Sequence, residues 1–471
     1  TADRHESNAE ETQYRRRIPK APDKYLGKIP GDDFYLSQVC EKARRGEGRT
    51  MSNKKKIYYR FTFSLASALS VGSGENQYSD SDIVRDSAGD PFIPGSSLAG
   101  IYRSMFENKE AEKYFGTALK EDKEAGSRIL VYDAKLCKTG KEAFYRKTIR
   151  DCVGLDEWKT GKMGCKFDFE VIEPGAEFVT YLEQDWEEND RDIGQALAIA
   201  WKEERIRIGR KTMRGLGSIR DVTVCRRAFE LTDQKELDTW LDFDMYCDQD
   251  WDDTEVGEDF WKEAKKGIAM PKTAISLKWQ LRQRGGISIR RYTTQVSRGN
   301  IQPDAEHLTC IVEKDGKEIP YIPGTSWAGV FRHHMELLCP GCTEEYFGSC
   351  EKRSLVRFHE SFIDKARPKV LTRNAVDRFT GGVVDNALFT EKMWYGGTTV
   401  LQIEIPAHAD KRFKQALAAS LADLHMGLLS IGGLTAVGRG VFEGEELLIG
   451  KESVVPGEGM YEEILKKLEG R

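Results

Sequence analysis

Two segments of this chain carry residues able to hold a phosphate. They are Gly95, Ser96 and Ser97 within Ile93-Pro-Gly-Ser-Ser-Leu-Ala-Gly-Ile-Tyr-Arg103, and Gly324, Thr325 and Ser326 within Ile322-Pro-Gly-Thr-Ser-Trp-Ala-Gly-Val-Phe-Arg332. Small hydroxyl residues after Pro-Gly predict a helix start, whose unpaired N–H groups and positive dipole end favour an anion. Arg103 and Arg332 lie two helical turns on, within reach of a nucleic-acid backbone laid over the helix. The same residues also suit an ordinary capped helix. A glycine-rich loop follows in each case, at 209–217 and 432–440. The first is strongly basic, with Arg205, Arg207, Arg210, Lys211 and Arg214 around Gly215 and Gly217; the second holds Gly438, Arg439 and Gly440. Glycine there lets backbone N–H groups approach a phosphodiester closely, although a solvated basic turn would read the same way. Both loops follow a helix and precede a strand, the reverse of the dinucleotide and P-loop context, so no nucleotide cofactor is expected. Cys339-Pro-Gly-Cys342, with Cys350 eight positions on, has the spacing of half a structural zinc site. His334, His333 or Cys310 could complete it, and free thiols are the alternative.

These residues recur in order because the chain is duplicated. Tyr114-Phe-Gly116 pairs with Tyr346-Phe-Gly348, and Arg150-Asp-x-Val153 with Arg373-Asn-x-Val376. Glu170-x4-Gly175 pairs with Glu391-x4-Gly396, and Thr212-x-x-Gly215-x-Gly217 with Thr435-x-x-Gly438-x-Gly440. A single chance match would not repeat in register; five collinear matches mark an internal repeat.

The elements that position them read the same way twice. In the first repeat an alternating aromatic and β-branched run at 56–65 predicts a strand, followed by a Gly/Ser/Asp-rich loop at 72–90. A helix opens at Pro94–Ser97, with Leu98, Ile101, Tyr102 and Met105 on one face. A second helix is predicted over 192–205, then the glycine-rich loop and a strand toward Cys225. In the second repeat the corresponding elements are a strand at 273–282, a long loop at 285–316, helices from Thr325 and over 411–429, and a last strand after Gly440. Strand–helix–strands–helix–strand is the ferredoxin-like order, so the fold class is α+β with two tandem ferredoxin-like domains. The boundaries are 53–228 and 272–450, with a polar, basic extension at 1–52, an acidic linker at 229–271 and a terminal amphipathic helix at 451–471. Met51-Ser-Asn-Lys resembles a translation start, so 1–52 is expected to be an added segment or part of a preceding fused module.

Net charge is −5, but residues 229–260 hold 13 Asp and Glu against one Lys. The rest carries 71 basic and 64 acidic residues, so the repeats are basic and suit a polyanionic partner. The acidic stretch is expected to be a solvated linker, with cover of a neighbouring basic surface the second reading. No run of about 18 apolar residues predicts a membrane span. Ten cysteines in 471 residues and no signal-peptide core point to a reducing cytoplasm.

With these motifs in hand, the chain resembles the RAMP superfamily, in particular the backbone subunits of type III CRISPR effector complexes. The resemblance rests on Ile-Pro-Gly-Ser-Ser-Leu at the first helix, Arg373-x-x-Val-Asp-Arg-Phe-Thr-Gly381 and the terminal glycine-rich loop. Two fused copies resemble the double-RAMP subunits of III-D-type complexes or the multi-RAMP III-E effectors. The resemblance implies a β-hairpin thumb on each ferredoxin-like domain and a role in antiviral defence. It implies CRISPR RNA, complementary target RNA and other CRISPR effector subunits as partners, with Arg150 and Arg373 among the RNA-binding residues. It further implies target cleavage supported by a loop aspartate with Mg²⁺ or another divalent cation. Asp80 in Asp80-Ser-Asp-Ile-Val-Arg-Asp86 matches that pattern. The second repeat has Thr309 there, and Asp304 could serve in a shifted register. Multi-RAMP effectors also carry zinc knuckles just after the first helix, where Cys339 and Cys342 stand. Chemically, RNA supplies its own nucleophile, the 2′-OH, so a cleaving protein needs geometry and charge more than a side-chain base. All seven histidines lie outside the first repeat, at His5, His307, His333, His334, His359, His408 and His425. That argues against a precursor-processing nuclease with a histidine base in its first domain. A non-catalytic RNA-binding subunit remains the alternative.

Overall fold

The strand Lys55–Leu65 sets the architecture of the first repeat. Ile57, Tyr59, Phe61, Phe63 and Leu65 are all buried on one face, as a period-two pattern requires. That strand pairs antiparallel with Glu177–Trp186 on one side and Ile219–Glu230 on the other, and Ile129–Val131 pairs with the outer edge of Glu177–Trp186. The order is therefore fourth–first–third–second, the ferredoxin-like arrangement. Helices Gly95–Arg103 and Ile193–Lys202 cover the apolar face. Trp201 is fully buried there, 5.4 Å from the ring of Phe61 and 4.6 Å from that of Phe63. In this computed structural model residues 55–74, 81–117, 126–139, 142–155, 161–186, 190–267, 274–292, 303–312, 316–349 and 351–470 are described. The basic extension at 1–52, Asp80 and Cys350 lie outside them.

The second repeat rebuilds the plan from Ala274–Arg284, Thr398–Pro406, Val441–Ile449 and Arg357–Phe358, in the same order, and Glu452–Val454 adds an edge strand. Its helices are Gly324–Leu338 and Lys411–His425. The terminal helix is shorter than expected, Met460–Glu469, and packs on Lys411–His425 through Met460, Ile464 and Leu468. The loop expected at 285–316 contains short strands, among them Gly286–Ile287 and Ala305–His307. Each repeat also projects a two-stranded hairpin between its second and third sheet strands. These are Lys147–Leu155 with Gly161–Ile172, and Arg367–Val376 with Val383–Tyr395.

The matched motifs acquire physical roles here. The hydroxyl of Tyr114 accepts the backbone N–H of Arg191, and that of Tyr346 accepts the N–H of Asp410, both at 2.9 Å. Each tyrosine thus fastens the first-helix region to the start of the second helix, whose caps are Asp192 and Asp410. A serine pair the sequence comparison did not single out behaves identically. Ser127 Oγ bonds the carbonyls of Tyr114 and Ile129, and Ser354 Oγ those of Tyr346 and Val356.

The acidic segment is not a solvated linker. It forms helices Gln234–Asp242 and Glu258–Gly267, and Trp251 is buried with Tyr58, Tyr181 and Phe229 on the outer face of the first sheet. Interleaved tryptophan and phenylalanine give it a packed side, while its carboxylates stay on the surface. Residues Asn53–Arg471 group into one unit, so the two repeats share an interface. Among the described residues no helix is long and apolar enough to cross a membrane.

Candidate nucleic-acid interface

The first glycine-rich loop folds as a single 3-10 turn, Thr212–Arg214, between Lys211 at φ 57° and Gly215 at φ 90°. The second repeats this geometry with Leu434 at φ 58°, the turn Thr435–Val437 and Gly438 at φ 77°. Gly217 and Gly440 close the loops: a Cβ on either would lie 1.9 or 1.8 Å from the carbonyl oxygen of Ile208 or Ile431, so no side chain fits. What differs is where each loop sits. Gly215 is pressed against the backbone of Phe358 and Glu360 of the second repeat, whereas no described residue stands within 4 Å of a Cβ on Gly438.

Packing of the first loop on the second repeat creates two adjoining grooves. One, of about 630 Å³, is lined by Lys211, Thr212, Arg214, Thr325, Gly329, Arg332, Lys352 and Arg353. The other, of about 650 Å³, is lined by Gly72, Ser97, Gly100, Ser104, Arg205, Arg207, Arg210, Arg353 and Arg357. Gly209, Thr212 and Arg353 border both, so the grooves form one track across the repeat boundary. Among the described residues nine basic side chains line it and no carboxylate does. A concave, uniformly basic surface bordered by two helix starts concentrates an anionic strand electrostatically. Part of that charge is held in place: Arg207 Nη2 lies 3.1 Å from Glu404, which also binds Arg357 and, at 2.9 Å, His359 Nε2. Burial opposes ionisation of Glu404, but the His359 hydrogen bond and the charges of Arg357 and Arg207 outweigh it and hold the carboxyl well below its usual range.

Several expected RNA-binding residues are placed otherwise. The N–H of Gly95 donates to Asp133 Oδ1 at 2.7 Å, so a carboxylate of the protein already occupies that helix start. Gly324 fits against backbone: a Cβ there would lie 2.1 Å from the oxygen of Phe358 and 2.7 Å from that of Arg214. Gly95 and Gly324 therefore serve packing, while Ser97 and Thr325 face the grooves; Ser96 is exposed and Ser326 half-buried beside them. Arg103 donates to the carbonyl of Gly116 at 2.7 Å and steadies the turn after the short helix Asn108–Phe115. Arg150 is buried between Glu173, at 2.9 Å, and Glu360 of the second repeat, and binds the repeats together. Arg373, its counterpart, pairs with Glu391, which Arg290 Nε also reaches at 2.7 Å. Arg439 stacks at 5.4 Å from the ring of Tyr395. Lys352, Arg353 and Arg357 were not singled out in the sequence, where the dipeptide Lys352-Arg353 was the available signal.

Asp80 lies outside the described residues, and Ser81 follows it. Ser81 Oγ accepts from Arg210 Nη1 at 3.1 Å, and the carbonyl of Ser81 accepts from Glu170 N at 3.0 Å. Glu170 also accepts the N–H of Ile83 at 3.2 Å and pairs with Arg85 at 2.6 Å, so the segment after Asp80 is pinned at the groove edge. Asp304 is held elsewhere: its N–H donates to Thr390 O and its carboxylate accepts Thr390 N at 2.7 Å, on the second hairpin.

For zinc, Cys339 and Cys342 are brought together, the N–H of Cys342 donating to the carbonyl of Cys339 at 3.2 Å. His334 is not with them, since its Nε2 lies 2.6 Å from Asp423 on helix Lys411–His425. Among the described residues no three His, Cys, Asp or Glu side chains gather as a ligand group. The two cysteines fit half a site, while His334, expected among its ligands, is engaged by Asp423 in this structure.

One histidine near this region gives a pH prediction. His307 is buried, with Nδ1 accepting the N–H of Ile289 at 2.9 Å, and burial pushes its pKa down to about 3. The unfolded chain therefore binds a proton near pH 6.5 that the folded chain refuses. Stability should fall as pH drops from about 6.5 toward 3, by up to about 1.4 kcal/mol per unit from this group. Denaturant titrations from pH 7 to 4 should show that slope reduced in His307→Gln.

A family model described as RAMP superfamily matches residues 62–220 and 284–443 of the chain. No curated protein matches. Among solved structures, one similar chain comes from the cryo-EM structure of the type III-B Cmr-beta complex bound to cognate target RNA. Identity is 18%, the match covers 42% of this chain and 68% of that one, and the TM-score is 0.28.

Proposed function

The chain belongs to the RAMP superfamily, with one matched region inside each repeat, and from that premise we propose that it is a guide-RNA-binding backbone subunit of a type III CRISPR effector complex. The observation that carries this reading is the unbroken basic track, which crosses from one repeat to the other and meets a helix start and a glycine-rich loop on its way. Such a track follows a backbone without reading its sequence, which is what a subunit carrying interchangeable guides requires. CRISPR RNA would lie along it, complementary target RNA would pair with the exposed bases, and other effector subunits would extend the assembly in antiviral defence.

The finer reading is that the first repeat also cleaves the target. Asp80 immediately precedes Ser81 in sequence, and its carboxylate would be the one to hold a divalent cation such as Mg²⁺ that stabilises charge developing at phosphorus. The protein's own part is to bend the target so that a 2′-OH comes in line with the adjacent phosphodiester, and Arg210 and its neighbours supply a positive surround. Asp304, tied to the hairpin backbone through Thr390, makes a weaker case for a second site. Structural Zn²⁺ would be held by Cys339, Cys342 and Cys350.

The test is a complex assembled with guide RNA and challenged with labelled complementary RNA. Asp80→Asn should leave guide retention unchanged and abolish one cut while others persist. Undiminished cutting at every position would leave only the non-catalytic RNA-binding role.

A further inference from the structure

The outer face of the first sheet, turned away from both helices and from the groove, carries an arrangement the RNA track does not use. Tyr58 stands on the central strand Lys55–Leu65 and Tyr181 on its neighbour Glu177–Trp186, and both are buried under the connector with Phe229. In the strand register Arg60 is directly opposite Tyr181, and Arg227 directly opposite Tyr58. Aromatic rings on two adjacent central strands, interleaved with guanidinium groups, are what a four-stranded sheet needs to stack bases and neutralise phosphates. The second repeat lacks it: by the same register Ser276, Lys278 and Gln402 occupy the positions of Tyr58, Arg60 and Tyr181.

The connector covering this face alternates rings with anions. Phe243 lies 5.1 Å from Tyr58, and Tyr246 and Trp251 lie 5.3 and 6.1 Å from Tyr181. Trp240 Nε1 donates to the Tyr58 hydroxyl at 2.9 Å. Asp248 sits 2.6 Å from Arg60, and the carbonyl of Asp250 accepts from Arg227 at 2.6 Å. Rings on rings and oxygens on guanidinium groups reproduce, in amino acids, the contacts a single strand would make.

We propose that the outer face of the first sheet is a second single-stranded RNA platform, occupied in this structure by the acidic connector as an intramolecular stand-in for RNA. The connector thereby confines RNA to the groove, and its displacement opens the platform. This goes beyond guide binding and stands apart from it, since the groove lies on the helical side.

The experiment uses the full chain with residues 232–256 replaced by an equal number of Gly and Ser residues, and a 4-thiouridine-substituted oligouridine as probe. Mapped crosslinks should appear at peptides containing Tyr58 and Tyr181, absent from the parent chain, with a second RNA equivalent bound per chain. Adding Tyr58→Ala and Tyr181→Ala should remove them while crosslinks at 205–217 persist. Retained groove crosslinks with none at Tyr58 or Tyr181 would overturn the proposal, whereas loss of groove crosslinks alone would count against the groove reading and not this one. Should the replaced chain misfold, Trp240→Ala with Asp248→Ala loosens the cover in an otherwise native chain. Faster proteolysis of 232–256 accompanied by the new crosslinks supports the platform, and faster proteolysis without them refutes it.

Discussion

Arg150→Met should be the most destabilising single substitution at the repeat boundary, at a cost of roughly 3–5 kcal/mol. Its guanidinium is 11% exposed and lies between Glu173, at 3% exposed, and Glu360, at 1%. Removing it leaves two buried carboxylates facing each other with no counter-charge. Removing Glu360 instead leaves the Arg150–Glu173 pair intact, so Glu360→Gln should cost much less. That asymmetry separates a charge effect from a simple loss of packing. The pH dependence follows with a definite sign. Burial already pushes the Glu360 carboxyl up, with the Arg150 charge opposing. Without the opposing Arg150 charge the Glu360 carboxyl would bind its proton still more tightly in the folded chain than in the unfolded one. The deficit should therefore be partly relieved below the ordinary carboxylate range and grow as pH rises toward 7. Because Glu360 belongs to the second repeat and Arg150 to the first, calorimetry should also resolve two transitions in the variant where the parent shows one. A single unshifted transition would contradict the coupling.

The second large effect belongs to the groove. Arg210, Arg214 and Arg353 line the track, and Arg353 borders both halves of it. Replacing all three by Glu should weaken single-stranded RNA binding by a factor on the order of 10² or more near 0.15 M salt. The decisive readout is the slope of log affinity against log salt, which should become shallower by about 2 if each arginine neutralises a phosphate. Arg150→Met should leave that slope unchanged, since its charge never reaches the groove. An unaltered slope in the triple variant would place the RNA elsewhere.

Strand Lys55–Leu65 was legible because its alternation is local, and the duplicated motifs were legible because repetition needs no structure. What those motifs do was not. Arg150 looked like a phosphate ligand beside its counterpart Arg373, yet its partner Glu360 lies 210 positions away and nothing near either residue announces the pair. Arg150 and Arg373 therefore share a sequence context and differ in role, because Arg150 reaches a carboxylate of the other repeat whereas Arg373 pairs within its own. The acidic connector misled for a related reason. Its charge dominates any composition window, while Trp240, Phe243 and Trp251 find their partners on three separate strands of a sheet. The site itself was half legible. Glycines and arginines of the first loop marked the track, but Lys352 and Arg353 joined it only through tertiary packing.

The two grooves share a border, and this has a consequence for strand length. An oligonucleotide held in one half presents its free end to the other half at an effective concentration set by the few nucleotides between them. Affinity should then rise steeply once a strand is long enough to cross Arg353, by as much as about 10²–10⁴ over what either half achieves alone. Fragments below that length should dissociate readily, so on this reading the boundary between the repeats would act as a ruler that favours long strands over short debris.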